Sequence, residues 1–239
     1  MWSTATAHSA RRSTLDANGF PVDSNFGDSF MKLSSSPLKI TDYLAPIDVM
    51  QHANNDNDFG SRGAMRLPDP TTGNGIVRHL AVAAGRVNRI YVVDRDSMDK
   101  FSRVLTGTLA GGIWGSPVYF NGAVHYGGLN DNIKAQLVTI AMLAAAASSK
   151  SPTTFAYPGT VPAISANGTS SAILWAAENG TTGALHACDQ PISPASSITV
   201  IRPARATSRG ANKFTTPMIS RGKADVGATN GVAMFGLRE

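Results

Sequence analysis

One segment of this 239-residue chain occurs twice, 100 residues apart. The first copy is Ser116-Pro117-Val118-Tyr119-Phe120-Asn121-Gly122-Ala123-Val124-His125-Tyr126-Gly127. The second is Thr216-Pro217-Met218-Ile219-Ser220-Arg221-Gly222-Lys223-Ala224-Asp225-Val226-Gly227. Both share the spacing of Pro, Gly and Gly, and Asn130 and Asn230 follow at one offset. Internal periodicity on this scale is the mark of stacked supersecondary units, each burying a face on its neighbour. Looser copies run from Val161-Pro162 to Gly168, and from Leu67-Pro68 through His79–Gly85 to Arg89–Asp94. Prolines 68, 117, 162 and 217 therefore step by 49, 45 and 55 residues, close to the roughly 40–50 of a propeller blade.

The physics of one unit follows from its residues. Proline at a strand start removes no ladder donor. A short apolar strand follows, and Asn-Gly or Arg-Gly then turns the chain, because these positions accept positive φ. A second strand returns at Ala123–Tyr126 or Ala172–Ala176, and a third follows at Ile90–Val93 or Val232–Phe235. Asp28–Leu33 alternates as a half-buried strand should, with Ile40–Tyr43 as its partner. The expected fold is all-β: a β-propeller-like array of about four antiparallel blades, closed or as an incomplete propeller. A jelly roll or sandwich is the competing architecture, and it does not explain the 100-residue echo. The repeat domain is placed at 20–239, after an atypical segment 1–19. Two stretches break the pattern. Ile140–Lys150 is alanine-rich and reads as helix. Residues 190–211, rich in Ser, Pro and Arg, read as an irregular loop with one strand candidate, Ile198–Ile201.

Composition narrows the function. Hydrophobic residues make up 42% and charged ones 15%, too apolar and too weakly charged for a disordered chain. The net charge is +5, but the basic residues are scattered, Arg202, Arg205 and Arg209 being the densest set, so nucleic acid is not an expected partner. The longest apolar run, Ile140–Ala147, is too short for a bilayer, so a membrane is not expected either. Met1–Arg12 lacks the apolar core of a signal peptide. The single cysteine, Cys188, reads as a half-buried strand thiol.

Five stretches carry a likeness: Phe26–Ser34, Asn57–Gly63, Ile90–Met98, Gly112–Gly122 and Tyr157–Gly168, joined by Lys213–Ile219. On these the chain resembles bacterial propeller proteins of the quinoprotein-dehydrogenase-like group, with pyrroloquinoline-quinone-type repeats. The likeness covers most of 20–188 and 212–238 and looks like the C-terminal half of a longer propeller. It implies an extracytoplasmic setting, a quinone stacked on a tryptophan floor, and a calcium ion. Met1–Leu15 and Gln190–Gly210 depart from it, through divergence in loops or a brief shift of reading frame. The quinone itself is not expected, since Trp114 and Trp175 read as packing residues and the vicinal cysteine pair found in several such enzymes is missing.

Chemistry-bearing residues are sparse. Asn54, Asp56 and Asp58 place oxygens at alternate positions, the best candidate for Ca²⁺, although the EF-hand spacing fails; Asp94 and Asp96 form a weaker acidic pair. There is no Gly-x-Ser-x-Gly and no His-Glu-x-x-His. His125 and His186 are the candidate catalytic residues of a calcium-assisted lactone or ester hydrolase, in which the ion polarises the carbonyl and a histidine moves the proton. The leading expectation is a propeller-type binding or scaffold module, with a small molecule or a second copy as partner. The lactone or ester hydrolase is the alternative, and a quinone-dependent oxidoreductase comes third.

Overall fold

The computed structural model describes residues 2–5, 16–17, 22, 26–55, 57, 59, 63–86, 88–98, 100–101, 104–105, 109–190, 199–206 and 210–236. The chain divides into two compact units. One holds residues 1–107 and 139–143, the other 108–138 and 144–239. In chain order the elements of the first stretch are β1 (Trp2–Ala5), β2 (Ser29–Ser35), β3 (Leu38–Ala45), helix α1 (Val49–Asn54), β4 (Met65–Arg66), β5 (Leu80–Ala84), β6 (Ile90–Asp94), β7 (Lys100–Phe101) and β8 (Val104–Leu105). No helix among the described residues is long and apolar enough to cross a membrane.

The first unit contains two small sheets, ordered β1-β2-β3-β7 and β4-β5-β6-β8. Every pairing in them is antiparallel except β3 with β7. The expected partners Asp28–Leu33 and Ile40–Tyr43 are β2 and β3, with Leu33 opposite Ile40. Phe30 and Leu44 on the first sheet pack with Ala81, Ala83, Tyr91 and Val93 on the second. Phe59 closes this layer, its ring edge-on to Tyr91 at 4.5 Å. The unit after Pro68 differs in detail from expectation, since its first strand, β4, precedes the proline.

The remaining strands are β9 (Val118–Phe120), β10 (Ala123–Gly127), β11 (Asp131–Thr139), β12 (Met142–Leu143), β13 (Ser149–Phe155), β14 (Ala163–Asn167), β15 (Ser170–Glu178), β16 (Ala184–Gln190), β17 (Thr199–Ala206), β18 (Met218–Ser220), β19 (Lys223–Ala228) and β20 (Gly231–Gly236). They supply three antiparallel sheets of the second unit: β9-β10-β11-β13, β14-β15-β16-β17 and β18-β19-β20. The proteins' prolines 117, 162 and 217 each precede the first strand of a sheet. The echo holds at the level of single dihedrals. Asn121 and Gly122 have φ of 43° and 85°, Arg221 and Gly222 49° and 73°, and Asn130 and Asn230 50° and 60°. These paired positive values are what a two-residue hairpin turn demands.

The sheets of the second unit pack face to face in chain order. Ala123, Ile133, Ala135 and Phe155 on the third sheet meet Leu174, Ala176 and Cys188 on the fourth. The other face of the fourth sheet, through Trp175, Ala177 and Leu185, meets Ile219, Ala224, Val226 and Phe235 on the fifth. Small alanines opposite large side chains let the layers interdigitate at interior packing density. The architecture is thus all-β, with five small open sheets among the described residues where four units were counted from the prolines.

Two local expectations change. Ile140–Lys150 is not helical. Ile140 and Ala141 turn the chain with φ of 52° and 57°, and Ser149 already belongs to β13. Alanine's helix preference yields there to the ladder with β11, where Ser148 N–H donates to the Ala135 carbonyl at 2.8 Å. Within 190–211, Thr199–Ala206 is a strand paired with β16, longer than the expected Ile198–Ile201; residues 191–198 and 207–209 lie outside the described residues. Pro203 is accommodated because β17 is an edge strand.

Candidate functional site

Each sheet of the second unit is entered by a loop ending at its proline, and these loops are stitched to the strands before them. Thr160 forms a bridge with Gly127 at the end of β10, and its hydroxyl donates to the Ala177 carbonyl at 2.9 Å. Ala211 bridges both Gly180 and Ala228. The approach at the first of these crossings is close. A Cβ on Gly159, whose φ is +86°, would lie 2.6 Å from the Gly127 carbonyl oxygen, and one on Gly115 would lie 2.5 Å from a Val161 methyl. Glycine is required at 159 by both dihedral and space.

The stitching gathers three aromatic side chains from three entry loops. Tyr157 stands edge-on to Trp114 at 5.1 Å and 78°, and to Phe214 at 6.4 Å and 88°. The Lys213 ammonium sits 4.7 Å from the Tyr157 ring centre. Trp114 and Phe214 also line a shallow depression with about 260 Å³ of space, open to solvent, together with Thr160, Asn179, Asn212 and Thr215. Its enclosed space is only about 10 Å³, room for about one water molecule, so the depression is a surface to lie against and not a pocket to fill.

The polar groups of this depression are held by the main chain. Asn179 Nδ2 donates to the Tyr157 carbonyl at 3.0 Å and Asn212 Nδ2 to the Ala228 carbonyl at 3.1 Å. Thr215 Oγ1 donates to the Asn212 carbonyl at 3.2 Å. With one N–H of each amide and both hydroxyl protons so used, the amides keep one N–H and their oxygens, and the hydroxyls keep their oxygen lone pairs. None of the lining residues is charged.

The residues expected to carry chemistry are placed elsewhere. His125 is fully buried on β10, and its Nδ1 lies 3.3 Å from the Val118 carbonyl. His186 is buried on β16, with Nε2 2.7 Å from Glu178 Oε2 and its ring edge-on to Phe155 at 5.3 Å. His125 shares a face with Ala123 and Ala135, and His186 a face with Cys188 and with Ala176, its cross-strand partner, so both border one apolar layer. Asn54 is the last residue of α1 in the other unit, while Asp56 and Asp58 lie outside the described residues. Among the described residues, no group of three or more His, Cys, Asp or Glu is placed to hold a metal ion. Asp96 N–H donates to Asp94 Oδ1 at 3.0 Å, while the second oxygen of Asp94 meets Arg78 at 3.2 Å and the Asp96 carboxylate meets His79 at 2.7 Å. Cys188 is buried, and burial pushes its thiol up to about 11.

The sequence did contain a signal for the aromatic cluster. Trp114 and Phe214 each stand three residues before the repeat proline, and Tyr157 stands five before Pro162. Reading the units from their prolines forward, strand by strand, passes over these loop positions.

No family model matches the chain, and no curated protein matches it. Among solved structures it is similar to the computationally designed Ika4 protein, at 12% identity and a TM-score of 0.40, covering 66% of this chain and 86% of that one. It is also similar to the computationally designed Ika8 protein, at 12% identity and a TM-score of 0.42, covering 66% of this chain and 43% of that one.

Proposed function

We propose that the chain is a β-propeller-type repeat protein acting as a binding module, with its ligand seat at the entry loops of the last three sheets. The observation that carries this reading is the meeting of Trp114, Tyr157 and Phe214, one from each loop, at the rim of a depression. Stacked repeat sheets commonly present such loops at one end, where residues distant in sequence come together. Tyr157 is 44% and Phe214 54% exposed. Exposed aromatics clustered on hydrogen-bonded loops suit recognition more than core packing.

A binding role needs no general base or nucleophile. The two histidines sit within a packed layer, one of them hydrogen-bonded to Glu178, which favours a structural part for both. The test is calorimetric titration of the purified protein with four small-molecule classes: choline, glucose, benzoate and butyrolactone. Saturable binding of at least one, lost in Phe214→Ser with the fold retained, is the expected result. No binding by any of the four, or binding indifferent to Phe214→Ser, would remove this seat.

A further inference from the structure

We infer that the Trp114–Tyr157–Phe214 rim takes the quaternary ammonium head of a small organic cation. This rests on the binding-module reading and adds the chemical class of the ligand.

Three observations lead to it. First, the rings meet at 78° and 88°, so their planes are turned against one another and do not form one flat stacking platform. Ring faces carry negative potential and attract cations, and cages of several rings suit methylated ammonium groups. Second, a cation already lies there. The Lys213 ammonium is 4.7 Å from the Tyr157 ring centre, within the ~6 Å at which a ring attracts it. Third, the depression beside the rings offers acceptors. One amide N–H each of Asn179 and Asn212 and the hydroxyl protons of Thr160 and Thr215 go to main-chain carbonyls. The hydroxyl and amide oxygens and the ring faces are groups that suit a positively charged guest.

The kind of cation follows from what the lining lacks. There is no carboxylate among the lining residues, so a strongly hydrated ion would lose its water without a full counter-charge. A quaternary ammonium carries diffuse charge under methyl groups and gives up little hydration, so ring faces and amide oxygens suffice. Lys213, an ordinary lysine on a flexible stem, is the occupant to be displaced. Its compact, well-hydrated ammonium leaves a ring readily.

The test is titration with choline and with its uncharged carbon isostere, dimethylbutanol, of the full chain and three variants. Choline is expected to bind, and the isostere about tenfold more weakly. Tyr157→Leu should lose choline binding with its thermal transition retained. Lys213→Ala should bind choline more tightly, since the competing ammonium is gone, and that exposed substitution leaves the fold intact. Trp114→Phe, which keeps a ring in place, should keep measurable binding and so separates loss of a ring from loss of structure. Equal affinity for choline and its isostere overturns the inference, as does Lys213→Ala leaving choline affinity unchanged. Binding of glucose or benzoate without choline would also overturn it, yet leave the binding-module reading standing. Absence of binding by every class removes both.

Discussion

Replacing Gly159 by alanine tests whether the entry loop of the fourth sheet is locked against the third. The methyl group meets two separate obstacles. The φ of +86° is a conformation that side chains rarely adopt, and the new Cβ would lie 2.6 Å from the Gly127 carbonyl oxygen and 2.8 Å from two Gly128 backbone atoms. The first obstacle costs about 1–2 kcal/mol. The second is overpacking against main chain, which cannot rotate away, and adds about 1–3 kcal/mol. Gly168→Ala separates the two. Its φ is +61°, but a Cβ there meets nothing within 4 Å, so only the conformational cost of about 1–2 kcal/mol applies. Equilibrium urea unfolding of both variants measures the difference. Gly159→Ala should lower the midpoint about twice as far as Gly168→Ala, with little change in slope. If Gly159→Ala is no worse than Gly168→Ala, the loop is not pressed onto β10 and the geometry of the candidate seat is wrong.

Other consequences follow from burial and charge. Leu174 is fully buried between the third and fourth sheets, so Leu174→Ala should cost about 2–5 kcal/mol in the same unfolding measurement. Cys188, its thiol raised to about 11 by burial, should resist an aromatic disulfide reagent at neutral pH and react at once in denaturant. In the first unit burial pushes the Asp48 carboxyl up, but the hydrogen bond from Arg89 at 2.6 Å and the charge of His52 outweigh it and hold it below its usual range. A carboxyl depressed in the folded state adds stability above its unfolded pKa and loses it as pH falls through the folded value. Asp48→Asn should therefore cost about 1 kcal/mol at neutral pH, Arg89 being partly exposed, and the gap from the parent should close in acid.

What the sequence revealed was the repeat. Pro117, Pro162 and Pro217 each stand before the first strand of a sheet, and the Asn-Gly and Arg-Gly pairs turn as expected, because those signals are local and rest on backbone sterics. The Pro68 unit was harder to place: its first strand is two residues long and precedes the proline. Ala144–Ala147 misled, since alanine's helix preference is worth tenths of a kcal/mol and pairing with β11 outweighs it. Asp28–Leu33 was visible through alternation, with Ile40–Tyr43 as its partner, whereas the six-residue helix Val49–Asn54 carries too short a pattern to be read. The site was the least legible part. His125 and His186 drew attention by residue type, yet their surroundings, an apolar layer and a hydrogen bond to Glu178, are set by sheet stacking. Tyr157 and Phe214 sit on loops, where no periodicity marks a functional side chain.

The central claim is that the entry loops of three stacked sheets form one ligand seat, and the indole N–H resonances of the tryptophans test it most directly. Trp114 lies at the rim, beside Tyr157. Trp175 is on β15 and donates its indole N–H to Ser165 Oγ at 2.8 Å. Titrating choline into ¹⁵N-labelled protein should shift the Trp114 resonance progressively to saturation and leave that of Trp175 in place. A Trp114 resonance that stays still while another part of the spectrum saturates, or Trp114 and Trp175 moving together, would contradict the account.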